Sequence, residues 1–234
     1  MPLYRYVKTL PKRQRRRRKL LPFLLIGLGI FILGWTVWPI LSFTLISDGL
    51  FTKVISPLSD GSVLSPIVLA AGSEGNVDFT NANTWFPASP QKKVVAPVNS
   101  YKLSIPRLKI EDATVIIAGD DLSKSLIHYG GTGLPGQYGT AVVFGHSTLP
   151  QFFNPQDYRT IFSTLPTLKV GDEIWVTYDK VRYRYEIFEM TVTEPNDLSP
   201  LEQKFDDSYI TLITCVPPGT YWKRLNVKAR LTKI

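Results

Sequence analysis

The chain has 234 residues and a formal net charge of +8, and this length suits one or two packed domains. Nine of its 27 Lys and Arg residues lie in the first 19 positions, which contain no Asp or Glu. The remaining positions carry 18 basic and 19 acidic residues. The positive charge therefore belongs to a tail, and we expect no nucleic-acid partner.

An uncharged apolar run follows the basic tail directly. It covers residues 20–47 and includes "LLPFLLIGLGIFILGWTVWPIL", whereas a helix needs about 20 such residues to cross a bilayer. A cleaved signal peptide is the alternative, but its apolar region is typically only about 7–15 residues long. We predict a basic cytoplasmic tail (1–19), a single transmembrane anchor (20–46) and an extracellular remainder, in accord with the positive-inside rule.

Residues 47–99 form the next segment. They are rich in Ser, Pro, Asn and Gly and show little periodicity, as in "SPLSDGSVLSPIVLAAGSEG". We interpret them as a spacer between the membrane and a folded domain, with room for part of it to pack on that domain or cover a cleft.

The composition changes again at residue 100. Short runs rich in Val, Ile, Thr and Tyr alternate with turn residues, which predicts an all-β barrel or sandwich over residues 100–234. Tyr178-Asp179-Lys180 predicts the turn of a hairpin. Two short helices are expected, in 120–130 and 154–165. The predicted strand runs are "YKLSIPRLKI", "ATVIIAG", "GTAVVFG", "DEIWVTY", "VRYRYEIFEMTV", "YITLITC" and "RLNVKARL".

Cys215 is the single cysteine of the chain. It ends the run "YITLITC" and precedes Pro217, Pro218 and Gly219, which cannot continue a regular central strand. A lone cysteine is most often a small buried apolar residue, and outside the membrane it can also pair with another chain. The third possibility is a nucleophile, which needs a proton carrier and stabilisation of its thiolate.

The histidines and arginines supply candidate partners for Cys215. His146 follows a strand run and a glycine, so it can stand at a strand end beside the cysteine, and His128 is the other candidate. If the last two strands pair as neighbours, Arg224 lies at the cysteine end. Arg230 then lies six residues along that strand, about 20 Å away.

These motifs resemble the sortases, the membrane-anchored cysteine transpeptidases of bacterial surfaces. "TLITC" with the downstream "KRLNVKARL" resembles their cysteine and arginine signature, and "VVFGHST" their histidine motif. "LSIPRLKI" and "LPTLKVGDEIWV" resemble two further segments of that family. The resemblance extends over about residues 100–232.

The resemblance implies a closed eight-stranded β-barrel with short helices. Cys215 would attack a Leu-Pro-x-Thr-Gly-like sorting signal of a surface protein or pilin, His146 would act as general acid and base, and Arg224 would stabilise substrate and oxyanion. The acyl group would pass to an amine, such as that of a lipid-linked cell-wall precursor or a pilin. His128 would be structural or peripheral, and no cofactor or metal is implied.

Two other functions are compatible with the residues. One is a hydrolytic cysteine peptidase on the same scaffold. The other is a non-enzymatic membrane-anchored β-domain that binds surface proteins and buries Cys215.

Overall fold

The computed structural model describes residues 12–53, 78–92 and 98–232. Helix α1 (Lys12–Leu50) contains the predicted anchor. The segment Leu21–Ser47 is long and apolar enough to cross a membrane. Parts of the predicted tail and spacer, residues 1–11, 54–77 and 93–97, lie outside the described residues.

Eight strands, β2 to β9, close into a barrel. Their order is β7-β6-β2-β3-β4-β5-β8-β9, and pairing between β7 and β9 closes the ring. A further short strand, β1, adds in parallel to the end of β7. The strands are β1 (Thr52–Lys53), β2 (Ser100–Ile105), β3 (Ile110–Ile117), β4 (Leu126–His128), β5 (Gly139–Phe144), β6 (Glu173–Tyr178), β7 (Val181–Thr193), β8 (Ser208–Val216) and β9 (Lys223–Thr232). The predicted fold class is confirmed.

The hairpin between β6 and β7 has the predicted turn. Asp179 and Lys180 both have positive φ angles, 47° and 64°, as a two-residue type I′ turn requires. The turn fixes the register in which Tyr178 pairs with Val181.

Alternation along β8 separates two apolar cores. Ile210 and Leu212 belong to the core inside the barrel. Ile213 and Cys215 point to the outer face, where a second core includes Trp85. Because side chains alternate between the faces of a strand, the cysteine lies on the outer face of the barrel wall.

The two predicted helices are wrong. In 120–130 the Asp121 side chain accepts a hydrogen bond from the Ser123 amide at 2.9 Å, in a turn, and the chain then enters β4, which pairs with both β3 and β5. Residues 154–164 form successive turns, followed by a short 3₁₀ helix at Leu165–Thr167. Asp121 and Asp157 bond to amides two residues ahead, a local pattern that competes with helix formation.

His128 lies on β4 and is buried. Its Nδ1 atom lies 3.0 Å from the Tyr101 hydroxyl, and its Nε2 atom lies 3.2 Å from the Thr132 hydroxyl. Tyr101 belongs to the inner core, so His128 points into the barrel, away from the face that carries Cys215. Burial lowers the pKa of His128 to about 4.

We expect His128 to make the fold sensitive to acid. Between about pH 6.5 and pH 4 the unfolded chain binds a proton at His128 that the folded chain excludes, so stability falls as the pH falls. The lowering of the His128 pKa from about 6.5 to about 4 corresponds to about 3 kcal/mol of unfolding free energy. Asp121, whose pKa is lowered to about 2, loses its stabilising contribution only below that window.

Urea unfolding of the detergent-solubilised full chain at pH 7 and pH 4.5 tests this expectation. His128→Gln should reduce the difference in unfolding free energy between the two pH values. An unchanged difference in the variant would contradict the assignment to His128.

Candidate active site

Cys215 lies between two neighbouring strands that each bring a candidate partner to it. On one side, β8 pairs antiparallel with β9, and Cys215 lies directly opposite Arg224. On the other side, β8 pairs in parallel with β5, and Phe144 aligns with Ile213. Continuing that register by two residues places His146 level with Cys215, on the same face of the sheet.

Side-chain hydrogen bonds hold the two strand ends together beyond the regular ladder. The Thr214 hydroxyl donates to the carbonyl of Gly145 at 2.8 Å, and the Ser147 hydroxyl donates to the carbonyl of Cys215 at 2.7 Å. Gly145 lies against the Phe162 ring, which leaves no room for a Cβ atom. The backbone carrying His146 is therefore fixed relative to the backbone carrying Cys215.

Arg224 is buried with only 2% of its surface exposed. Its Nη1 atom lies 3.3 Å from the Cys215 sulfur and 3.4 Å from the carbonyl of Tyr221. Its guanidinium carbon lies 4.8 Å from the centre of a Trp85 ring, within cation–π range. Its Nε atom is buried and has no hydrogen-bond partner among the described residues. The guanidinium keeps a donor free for another acceptor.

His146 contacts the same tryptophan. The two ring centroids are 6.1 Å apart, and the planes are inclined by 58°. The Nε2 atom of His146 is also buried and has no partner within the described part of the chain. Burial lowers the pKa of His146, while the negative charges of Asp78 and Asp121 raise it, so the ring is held in its neutral form near pH 7.

Burial also dominates the state of the cysteine. It raises the pKa of the Cys215 thiol to about 11, against the opposing effect of the Arg224 charge and hydrogen bond. With Cys215 only 1% exposed, the thiol is protonated at neutral pH and closed to solvent. The arrangement is that of a protonated thiol beside a guanidinium, closed to solvent.

The covering segment consists of residues 78–92, which we call the cover. Trp85 and Phe86 are its buried aromatic side chains. Phe86 packs on Phe144 and Tyr129, while Trp85 lies over Arg224 and His146. Burying a large apolar side chain contributes roughly 1.5–3 kcal/mol, so the cover is held closed mainly by these two rings.

Hydrogen bonds and one further ring pair add to the attachment of the cover. Ala82 donates its amide to the carbonyl of Asp120, and Leu122 donates its amide to the carbonyl of Thr80, both at 2.9 Å. Phe79 stacks on Tyr221 at 4.2 Å between ring centroids. The cover is thus tied both to the 119–122 segment and to the loop that leads into Arg224.

The structure separates the sequence-predicted residues into two groups. Cys215, His146 and Arg224 lie together around Trp85. His128 lies inside the barrel, and Arg230 bonds to Asp207 at 2.6 Å near the other end of β8. Trp85 is the residue that sequence reasoning missed, and its only signal was an aromatic pair, Trp85-Phe86, within a polar segment.

The group of three has a definite chemical capacity. A thiol can attack a carbonyl carbon, an imidazole can carry the proton, and a guanidinium can donate to a developing oxyanion. Among the described residues, no cluster of three or more His, Cys, Asp or Glu side chains could hold a metal ion.

Comparisons with known proteins identify the family of the chain. The Sortase domain model matches residues 103–232. Sortase D of Bacillus subtilis (strain 168) is 23% identical over 202 residues, covering 86% of this chain and 90% of that protein.

Solved structures agree with the family model. A Clostridium perfringens sortase D5 transpeptidase has 26% identity and a TM-score of 0.50, covering 60% of this chain and 83% of that structure. A lid mutant of Corynebacterium diphtheriae sortase A has 28% identity and a TM-score of 0.51, covering 60% of this chain and 73% of that structure. The chain belongs to the sortase family and is a sortase-type cysteine transpeptidase.

Proposed function

We propose that Cys215 is the nucleophile of this transpeptidase, with His146 as proton carrier and Arg224 as stabiliser of substrate and oxyanion. The observation that carries the proposal is the contact of 3.3 Å between the Arg224 guanidinium and the Cys215 sulfur. This contact sits at a strand end beside a histidine whose Nε2 has no partner among the described residues. The substrate is a surface protein or pilin with a Leu-Pro-x-Thr-Gly-like sorting signal.

The reaction proceeds in two acyl transfers. The proton of the Cys215 thiol passes to His146. The sulfur attacks the threonine carbonyl carbon, and Arg224 donates to the oxygen that becomes negative. The C–N bond to glycine breaks, the leaving amine takes a proton from His146, and a thioester remains on Cys215. An incoming amine then attacks the thioester carbonyl and loses a proton to His146, which releases the sulfur.

The cover must move before a peptide can enter. The thiol, the imidazole and the guanidinium are all at least nine-tenths buried, and the Trp85 ring occupies the space against the last two. Displacing the cover exposes Cys215 to solvent and removes the main cause of its raised pKa. The Arg224 charge, which lowers the pKa of the thiol, stays beside it.

The proposed location is the outer surface of a membrane. The segment 20–46 acts as a single-pass anchor, the basic tail of residues 1–19 stays in the cytoplasm, and the barrel of residues 100–234 lies outside. This position brings the site to acceptor amines held at the membrane, such as those of lipid-linked cell-wall precursors or pilins.

Three substitutions should remove or reduce transfer in an assay with a Leu-Pro-x-Thr-Gly peptide and an amine. Cys215→Ala and His146→Ala should abolish it. Arg224→Ala should lower kcat/KM by about 10²–10³-fold, the usual effect of losing an oxyanion donor. Arg224→Lys should recover little of it, because a lysine keeps the charge and loses the planar fork.

Arg230→Ala is the matched control, since Arg230 lies on the same strand and pairs with Asp207. It should change kcat/KM little. Thermal melting of each variant separates lost chemistry from lost folding. Transfer activity in Cys215→Ala would refute the assignment of the nucleophile.

Removing the tryptophan of the cover should make the thiol reactive. Trp85→Ala opens a path to Cys215 and lowers the pKa of its thiol, and each unit of decrease raises the thiolate fraction at pH 7 about tenfold. The rate of labelling by a methanethiosulfonate reagent measures the change.

Trp175→Ala is the control, because Trp175 lies on β6 and packs under Arg182, away from the site. Its labelling rate should match that of the unmodified chain. Equal rates for Trp85→Ala and Trp175→Ala would show that the cover does not limit access.

The acceptor distinguishes transfer from hydrolysis. With an added amine, the peptide should yield an amide product and consume the Cys215 thioester, both detectable by mass spectrometry. Cleavage at the same rate without amine, with no amide formed in its presence, would instead identify a hydrolytic peptidase on this scaffold.

A further inference from the structure

The outer end of helix α1 packs directly on the barrel. Residues 21–35 are exposed all round, whereas half-buried positions begin at Thr36 and recur on one face at Ile40, Phe43 and Ser47. Phe43 packs against the barrel core and stacks on buried Phe51, with ring centroids 5.9 Å apart. The helix therefore lies against the barrel within about its last four turns.

The free part of the helix is too short to span a bilayer. Only residues 20–35 lie between the last basic residue of the tail, Lys19, and Thr36, the first half-buried residue of the helix. Sixteen helical residues extend about 24 Å, while the hydrocarbon core is about 30 Å thick. The helix cannot slide inward to gain length, because Lys and Arg residues fill positions 15–19 and are costly in hydrocarbon.

Because the exposed part of the helix is shorter than the hydrocarbon core is thick, the half-buried part that follows must begin within the membrane boundary. A span of about 20 residues that begins at Leu21 ends near Ile40, beyond Thr36. Gln151 lies beside the helix in a cleft lined by Trp35 and Trp38. The loop that carries Gln151 must then lie in the outer interfacial layer of the same bilayer.

The chemistry of the barrel surface around the helix fits that position. Three loop segments line the clefts beside the helix, namely 147–156, 160–168 and 216–222. None of the three contains a charged residue, and the charged residues nearest to them are Asp157, Arg159, Lys169 and Lys223, of which Lys223 lines the cleft beside Trp222. We call these segments the uncharged rim. By contrast, the loop that enters β8 at the other end of the barrel reads "EQKFDD" at 202–207.

Exposed aromatic residues project from the uncharged rim. Phe152 is 64% exposed and Trp222 is 61% exposed, and Trp222 lines a cleft with Thr44 and Ser47 of the helix. Trp favours the membrane interface, and Phe is among the apolar residues that interfacial segments bury in it.

We propose that the uncharged rim is a second membrane contact, seated in the outer interfacial layer of the bilayer that α1 spans, with Phe152 and Trp222 as its lipid-contacting side chains. The inference rests on the proposed role of α1 as an anchor. This second membrane contact would hold the active-site end of the barrel against the lipid surface, whereas a flexible tether alone would leave it free to move.

Depth-dependent fluorescence quenching on the full chain tests the proposal. In a Cys215→Ala background, single cysteines replace Phe152, Trp222 or Phe205 and carry an environment-sensitive nitrobenzoxadiazole label. Phe205 is the matched control, since it is 71% exposed and precedes the opposite end of β8. A fourth variant, Ile30→Cys, reports on the helix. All are reconstituted in phosphatidylcholine and phosphatidylglycerol vesicles, and thermal melting checks the fold.

Labels at positions 152 and 222 should emit at shorter wavelength than the label at 205. A lipid with a nitroxide on its headgroup should quench the labels at 152 and 222 and leave the label at 205 unquenched. The label at position 30 should be quenched by a nitroxide deep in the acyl chain. If the label at position 30 is quenched in this way but the labels at positions 152 and 222 emit and are quenched like the label at 205, the second membrane contact is refuted and the anchor role of α1 is retained. A shortened wavelength at 152 and 222 without lipid quenching indicates a protein contact and also overturns the inference. No deep quenching at position 30 removes the anchor and the inference together.

Discussion

The site depends on the position of β8 between β5 and β9. A strand with two neighbours can hold one side chain beside residues from both, and Cys215 is such a side chain. The parallel partner brings His146 level with it, and the antiparallel partner brings Arg224 directly opposite. Because all three side chains lie on the outer face of a closed barrel, the inner core can be packed without regard to the chemistry outside it.

Burial on that outer face creates a conflict between charge and desolvation. A guanidinium that is 2% exposed needs compensation, and the described contacts supply it through the Cys215 sulfur, two backbone carbonyls and the Trp85 ring. The compensation is incomplete, since Nε of Arg224 and Nε2 of His146 have no partners among the described residues. Unsatisfied buried polar atoms cost about 1–3 kcal/mol each. A bound peptide that accepts from them recovers part of the free energy needed to displace the cover.

The sequence predicts the barrel better than it predicts what covers the site. Strands such as β6 and β7 show local alternation and a two-residue turn, so their pairing can be inferred from neighbouring residues. The pairing of Cys215 with Arg224 follows in the same way from two strands joined by a short loop. Strand β4 was missed because it has three residues and is defined by partners on both sides, not by its own pattern. Trp85 was missed because its partners, His146 and Arg224, are distant in the sequence, and no periodicity links them to it.

One loop joins the cover to the proposed membrane contact. Tyr221 stacks on Phe79 of the cover, and the next residue, Trp222, lines the cleft beside the helix. The carbonyl of Tyr221 also accepts from Arg224. If Trp222 is seated in the lipid interface, the backbone of this loop has less freedom to move, and the guanidinium is held more firmly beside the sulfur. When the cover opens, Phe79 then moves away while Tyr221 stays in place. The peptide-binding cleft forms without displacing the end of β9 that carries Arg224.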